Sequence, residues 1–292
     1  MNGRIGKPMA TIFSETLHQG YGQHMEVAGD MLVNQRSEFQ HIQIFDTESL
    51  GRVMTLDGVV QITERDEASY SEMLTHLPMV EHGAMKRVMI VGGGDGAVAE
   101  ECLKHPGVEV DMCEIDGKVV EYCKEHFSSV NKGVFDDPRY HLHIADAFEH
   151  LKAASSEGRY DLIIADRPDP LGPAQVLFAT EFYELIRRAL TDTGIAVFQN
   201  GCPFFQPEEL TGTMKQLREV FPHSGTYLTV TPTYIGGFMA LTWASKGTQL
   251  GTLPNDEVAR RVEQLQLSTD YYTPAIHAGA FALPAWIERL MA

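Results

Sequence analysis

The chain has 292 residues, 43% hydrophobic, 9% aromatic and 22% charged, the balance of an ordinary globular protein with room for one large domain or a large and a small one. A formal net charge of −17 argues against nucleic acid and anionic membranes as partners and favours cations, although solubility alone would account for it. No run approaches the roughly 18 apolar residues of a membrane-spanning helix, and residues 1–11 lack the apolar core and cleavage pattern of a signal peptide, so a cytoplasmic location is expected.

In chain order, residues 40–45, 52–56 and 59–63 are short runs with partial alternation, and Asp57-Gly58 between the last two is a strong hairpin signal. Residues 66–80 read as a helix with Met73, Leu74, Leu77 and Val80 on one face. From Arg87 onward strands and helices alternate. Strands are predicted at 88–91, 109–113, 140–144, 161–165 and 194–199, helices at 95–105, 118–127, 180–190 and 207–221, and a closing strand pair at 227–231 and 238–244. The tail adds a helix near 255–265 and a Pro-containing aromatic stretch. Such alternation predicts an α/β protein with a parallel, doubly wound Rossmann-like sheet, preceded by a small N-terminal β domain. The expected division is 1–80, with the linking helix, and 81–292, the catalytic domain with its helical tail.

The strand at 88–91 runs into Gly92-Gly93-Gly94-Asp95-Gly96 and then a helix. Glycines let backbone pass close to a ligand and take up positive φ, although a tight turn without a ligand would use them too. Glu114 closes the second strand, where a carboxylate can accept both hydroxyls of a ribose, and Asp146 closes the third, within reach of an adenine amino group. Either could instead be a helix N-cap. Three polar groups at successive carboxyl ends mark the edge where open α/β sheets bind ligands. Asp95 would repel a pyrophosphate, and the carboxylate of intact S-adenosylmethionine if close, but would attract a free ammonium.

After the fourth strand comes Asp166-Arg167-Pro168-Asp169-Pro170-Leu171-Gly172-Pro173, whose prolines restrict the backbone. Attack by an amine on a sulfonium needs the amine neutral and in line, which one carboxylate can serve as base and another as anchor. Turn capping by the two aspartates is the competing explanation. Cys102, Cys113, Cys123 and Cys202 form no Cys-x-x-Cys pair and the histidines show no ligand spacing beside them, so reduced thiols and no metal are expected.

Taken together, these runs resemble the polyamine aminopropyltransferases, the spermidine synthase family. Further matching runs are Leu56-Asp57-Gly58-Val59-Val60-Gln61, Thr63-Glu64-Arg65-Asp66-Glu67, Tyr70-Ser71-Glu72-Met73, Cys113-Glu114-Ile115-Asp116, Pro232-Thr233-Tyr234 and Tyr271-Tyr272 with His277, Phe281 and Pro284. The resemblance implies transfer of an aminopropyl group from decarboxylated S-adenosylmethionine, a co-substrate rather than a cofactor, to a diamine such as putrescine. By position it implies Asp166 as general base. It implies Asp169, Tyr70, Ser71, Gln199 and Tyr234 on the acceptor side, and Gln40, Gln61, Asp95, Glu114, Asp146, Ala147 and Pro173 on the donor side. A homodimer is the family-level expectation. Arg167-Pro168 replace two small hydroxyl residues, Ser71 replaces a His or Gln, Ala147 replaces a Gly, and residues 200–204 lack an acidic residue and a tryptophan. Arg167 is expected to point to solvent, the alternatives being repulsion of the acceptor or pairing with an aspartate. Other acceptors (cadaverine, agmatine, a longer polyamine), an S-adenosylmethionine-dependent methyltransferase and a catalytically silent binding protein are the competing readings.

Overall fold

Asp57 and Gly58 both take positive φ, 49° and 81°, the backbone that a two-residue hairpin turn demands. They join β5 (Gly51–Leu56) to β6 (Val59–Thr63) as the dipeptide predicted. The computed structural model describes residues 11–153, 158–167, 177 and 179–291. These fall into two compact units that divide between Asp66 and Glu67.

In the first unit β3 (Val33–Arg36), β4 (His41–Thr47), β5 and β6 form an antiparallel sheet, and β1 (Thr11–His18) pairs with β2 (Tyr21–Val27) as a separate ribbon. Phe13, Met25, Val27, Phe45, Val53 and Val60 make one apolar cluster. The buried Glu15 carboxylate accepts the Val60 N–H and the Gln23 amide, each at 2.7 Å, and so ties the ribbon to β6. Strands β1 to β3 were not anticipated from the sequence. In β1 the inward positions are Phe13 and the charged Glu15, which breaks the apolar alternation, and β3 buries only Val33.

The second unit is a seven-stranded sheet ordered β12-β13-β11-β10-β7-β8-β9. β7 (Arg87–Gly92), β8 (Glu109–Glu114), β9 (Tyr140–Ile144), β10 (Tyr160–Asp166) and β11 (Leu190–Gln199) are parallel. β12 (His223–Thr229) and β13 (Met239–Ser245) close one edge antiparallel. Alternate residues of each central strand enter opposite cores. Val88, Ile90, Leu162, Ile164, Ile195 and Val197 pack against one helical layer, and Met89, Val91, Ile163, Ala165, Ala196 and Phe198 against the other. Burial on both faces is why these strands read as unbroken apolar runs. The order reverses between β7 and β10, as in the Rossmann-like fold of class I methyltransferase type, and that reversal opens a crevice at the carboxyl ends.

Helix α1 (Ala68–His82) belongs with this sheet by its contacts, not with the β-rich segment it was grouped with on sequence, because it is buried on nearly every side. Residues 69–81 are all buried, and the polar ones are used as anchors. Glu72 accepts the backbone N–H groups of Asp270, Tyr271 and Tyr272 at 2.6–2.9 Å. Glu81 accepts the Gly251 N–H at 3.0 Å and lies 3.0 Å from His277 Nε2. The tail that follows α8 (Asn255–Leu265) carries two helices absent from the sequence reading, α9 (Pro274–Ala280) and α10 (Ala285–Met291); α5 (Ala147–Lys152), after β9, was also not anticipated. Each is only six or seven residues, too short for a helical period to show. Glu72→Gln keeps the shape but removes the charge that three backbone amides share. We expect it to cost about 2–4 kcal/mol of stability, read by denaturant unfolding. An unchanged midpoint would show that the anchor carries no weight.

None of the four cysteines is in a disulfide, and all are buried. Among the described residues no helix is long and apolar enough to cross a membrane.

Candidate active site

The register of the sheet builds the site. Asp166, the last residue of β10, pairs with Gly92, the last of β7, while Glu114 ends β8 opposite Ile144 and Gln199 ends β11. Gly92, Gly93 and Gly96 take φ of 81°, 71° and 85°, open to glycine and strained for other residues. Their missing side chains matter as much. A Cβ on Gly92 would run into the Asp166 carbonyl, one on Gly93 would sit 3.3 Å from Asp166 Oδ2, and one on Gly94 3.0 Å from Glu114 Oε2. The turn therefore lies bare against both carboxylates.

Asp95 is half-buried, and its carboxylate accepts the Ala97 N–H at 2.8 Å at the start of α2 (Ala97–Leu103). Glu114 is buried and accepts the Asp116 N–H at 2.8 Å. Asp146 is exposed and caps α5 through the Phe148 N–H at 2.8 Å, with Ala147 buried beneath. The capping explanation thus holds for Asp146 as a matter of geometry, whatever else it binds.

The Tyr70 hydroxyl donates to Asp166 Oδ1 at 2.5 Å, and the Tyr70 ring meets Tyr234 edge-on at 5.5 Å between centroids. With Oδ1 taken by Tyr70, Oδ2 is the oxygen turned to the glycine turn. Gln199 spends its amide on backbone, donating to the Arg167 carbonyl at 3.0 Å and accepting the Gly201 N–H at 2.5 Å. Ser71 is buried and turned back onto Glu67, donating to its carboxylate at 2.5 Å. Gln61 lies on β6 of the first unit, its amide on the Val59 carbonyl at 3.2 Å, and Gln40 immediately precedes β4 there. Asp169 and Pro173 lie outside the described residues.

Arg167 corrects the sequence reading. It is 2% exposed rather than solvent-facing, and its guanidinium turns to Leu177, Tyr183 and Phe198. Its partners include the Leu177 carbonyl, the Tyr183 hydroxyl and the Tyr183 and Phe198 rings.

Burial pushes the Asp166 carboxyl up to about 7, with the Asp95 charge adding to it, the Tyr70 hydrogen bond opposing, and Glu114 contributing further. Glu114 is pushed up to about 7 by burial and, against the Asp116 N–H, by the charges of Asp116 and Asp95. Glu67 also rises to about 7, from burial and, against the Ser71 hydrogen bond, from Glu101 and Asp95. Burial raises Asp95 as well. Burial and, at Asp166, Glu114 and Glu67, neighbouring carboxylates raise these groups, and a bound cation would lower them. Glu67 was not singled out from the sequence. It sits in the Thr63–Glu67 run and four residues before Ser71, a one-turn helical spacing that could have flagged the pair. Among the described residues no three His, Cys, Asp or Glu side chains are grouped to hold a metal.

Strand order, glycine turn and acidic carboxyl edge define a Rossmann-like protein of class I methyltransferase type. Residues 67–252 match the spermine/spermidine synthase domain, and residues 11–64 the spermidine synthase tetramerisation domain. The chain is 46% identical to polyamine aminopropyltransferase 1 of Pseudomonas aeruginosa over 94% of this chain and 96% of the relative. It is 45% identical to the polyamine aminopropyltransferase of a Ruegeria species over 95% and 97%. A crystal structure of spermidine synthase in complex with the transition-state analogue AdoDATO superposes with a TM-score of 0.90, at 31% identity, covering 100% of this chain and 98% of the other. Spermidine synthase from Thermotoga maritima gives 0.89 at 31%, covering 100% and 97%. The chain belongs to the spermine/spermidine synthase family and is an enzyme of its aminopropyltransferase class.

Proposed function

We propose that this enzyme moves the aminopropyl group of decarboxylated S-adenosylmethionine to putrescine, giving spermidine and 5′-methylthioadenosine, with Asp166 as the base. The observation that carries the reading is the Tyr70–Asp166 pair, set against a bare glycine turn beside Asp95 at the carboxyl edge of the sheet. Asp166 takes a proton from the acceptor ammonium, and the freed lone pair attacks the propyl carbon on sulfur. The carbon–sulfur bond breaks with its electron pair going to sulfur, so the sulfonium leaves as a neutral thioether. A carboxyl near 7 matches that task, because it is ionised in part at neutral pH and basic enough to accept the proton. Two incoming cations then favour its ionised form.

On the donor side Glu114 is the ribose ligand, Asp95 holds the donor's ammonium, and Asp146 with Ala147 takes the adenine side; Gln40, Gln61 and Pro173 complete that set. On the acceptor side the assigned residues are Tyr70, Tyr234, Asp169, Gln199 and Ser71. The N-terminal unit is the assembly module and the second unit the catalytic one, in a cytoplasmic homodimer, to be checked by light scattering. Incubating the enzyme with decarboxylated S-adenosylmethionine and a panel of amines, read by mass spectrometry, should show spermidine from putrescine as the fastest product. Faster transfer to cadaverine or agmatine would move the acceptor, a change that Ser71, whose hydroxyl donates to Glu67, makes worth testing. No transfer to any amine would remove the reading altogether.

A further inference from the structure

We propose that a ladder of hydroxyl groups on β12 and just beyond it, Tyr227, Thr229 and Thr231, positions Tyr70 against Asp166 and thereby governs turnover. These are positioning residues. They act through α1, the helix that carries Tyr70.

Strand residues two apart share a face, so Tyr227 and Thr229 both turn toward α1 while Leu228 enters the opposite core. The Tyr227 hydroxyl donates to the Met73 carbonyl at 2.9 Å, and the Thr229 hydroxyl donates to the Ser69 carbonyl at 2.6 Å. Thr231, two residues past the strand, accepts the Ser69 hydroxyl at 3.0 Å. Tyr70 lies between these anchors, directly after Ser69 and before Met73. Thr231 also holds Tyr234, for its carbonyl accepts the Tyr234 N–H at 3.0 Å, and the Tyr234 ring meets that of Tyr70 edge-on at 5.5 Å. Ser69, Tyr227, Thr229 and Thr231 are all buried.

A helix seated by apolar contacts alone can shift a little at low cost, because hydrophobic burial is non-directional. Hydrogen bonds fix distance and angle, and a buried one left unmade is expensive. The bonds at Ser69 and Met73 therefore fix α1 on both sides of Tyr70. Precision matters there, because the Tyr70 hydroxyl sits 2.5 Å from Asp166 Oδ1. A hydrogen bond donated to an ionised carboxyl favours that form, so Tyr70 opposes the upward push of burial, Asp95 and Glu114 on Asp166. Loosening Tyr70 leaves Asp166 protonated for more of the time at neutral pH. This role rests on the assignment of Asp166 as the base made above.

The test uses the full-length enzyme with decarboxylated S-adenosylmethionine and the fastest amine of the panel. It compares Thr229→Val, Thr229→Ser, Tyr227→Phe and Tyr70→Phe. Valine keeps the volume of threonine and removes the hydroxyl. Thr229→Val should lower kcat about tenfold and leave donor affinity by calorimetry within about twofold, since small displacements far from the chemistry act on positioning. The acid limb of kcat/KM should move to higher pH, the direction expected when an ionised carboxyl loses a donor; Asp95 and Glu114, which also bear on Asp166, are untouched by the substitution. Thr229→Ser keeps the hydroxyl and should stay within about twofold of wild type. A double-mutant cycle separates positioning from general loosening of the fold. Tyr70→Phe removes the hydroxyl that the ladder positions, so adding Thr229→Val to it should cost less than about twofold more in kcat. Unchanged kcat, an unmoved acid limb or an equal cost in both backgrounds overturns the proposal. If Thr229→Val fails to fold, Tyr227→Phe is taken through the same cycle, and an equal cost in both backgrounds again overturns it. Failure of the base assignment looks different: a wild-type profile with no acid limb near 7 would remove Asp166 as base, and this proposal with it, before any variant is compared.

Discussion

Asp166→Asn should lower kcat by about 10²–10⁴ while donor affinity stays within a few-fold of wild type. Asparagine fills the same volume and its oxygen still accepts the Tyr70 hydroxyl that now sits 2.5 Å from Asp166 Oδ1, so the glycine turn and the donor pocket need not move. What disappears is the ability to take a proton. The pH dependence separates this from a loss of shape. With the Asp166 carboxyl at about 7, the base is protonated and inactive below that pH. Wild-type kcat/KM should therefore fall as pH drops through 7, and the variant's residual rate should lack that limb. Single-turnover mass spectrometry gives the rate and calorimetry the donor affinity. Wild-type turnover in Asp166→Asn would end the assignment, and a parallel loss of donor binding would make Asp166 a structural residue of the pocket.

What the sequence made legible, and what it did not, follows from where each signal is stored. The central strands were readable because burial on both faces leaves only apolar residues, as in Val88–Val91 and Ile195–Phe198. The places of Asp95, Glu114 and Asp166 at the carboxyl edge of the sheet were readable because strand ends and glycine turns fix them along the chain. Strands β1 and β2 were missed because Glu15, a buried carboxylate, sits where an apolar residue would announce the pattern. Arg167 was misplaced for the same kind of reason. Charge argues for solvent, and its aromatic sleeve comes from Tyr183 and Phe198, 16 and 31 residues away, so the spacing carries no hint of it. Helix α1 joined the wrong neighbour because sequence order places it beside the β-rich segment. Its anchors lie far ahead, at Asp270 to Tyr272 and at His277. In each case the missing information is a long-range contact, which periodicity does not encode.

Asp95→Asn tests the choice of donor. The wild-type enzyme should bind decarboxylated S-adenosylmethionine more tightly than the intact form, because a half-buried carboxylate attracts the ammonium of one and repels the carboxylate of the other. Losing a charged hydrogen bond of this kind costs about 1.5–3 kcal/mol, so affinity for the decarboxylated donor should fall roughly 10- to 100-fold. Affinity for the intact form should hold or improve, since only repulsion has been removed. Asparagine is as good a helix cap as aspartate and can still accept the Ala97 N–H, so α2 keeps its start and the change is electrostatic. A second consequence follows at a different atom. The Asp95 charge raises the Asp166 carboxyl, so its removal lowers that group, and the acid limb of kcat/KM should move below its wild-type position near 7. The two effects are independent readouts of one charge, the first by calorimetry with both donors and the second by a pH–rate profile. Retained discrimination in Asp95→Asn would place the selecting group elsewhere. Retained discrimination together with a shifted limb would mean that Asp95 tunes the base without touching the donor.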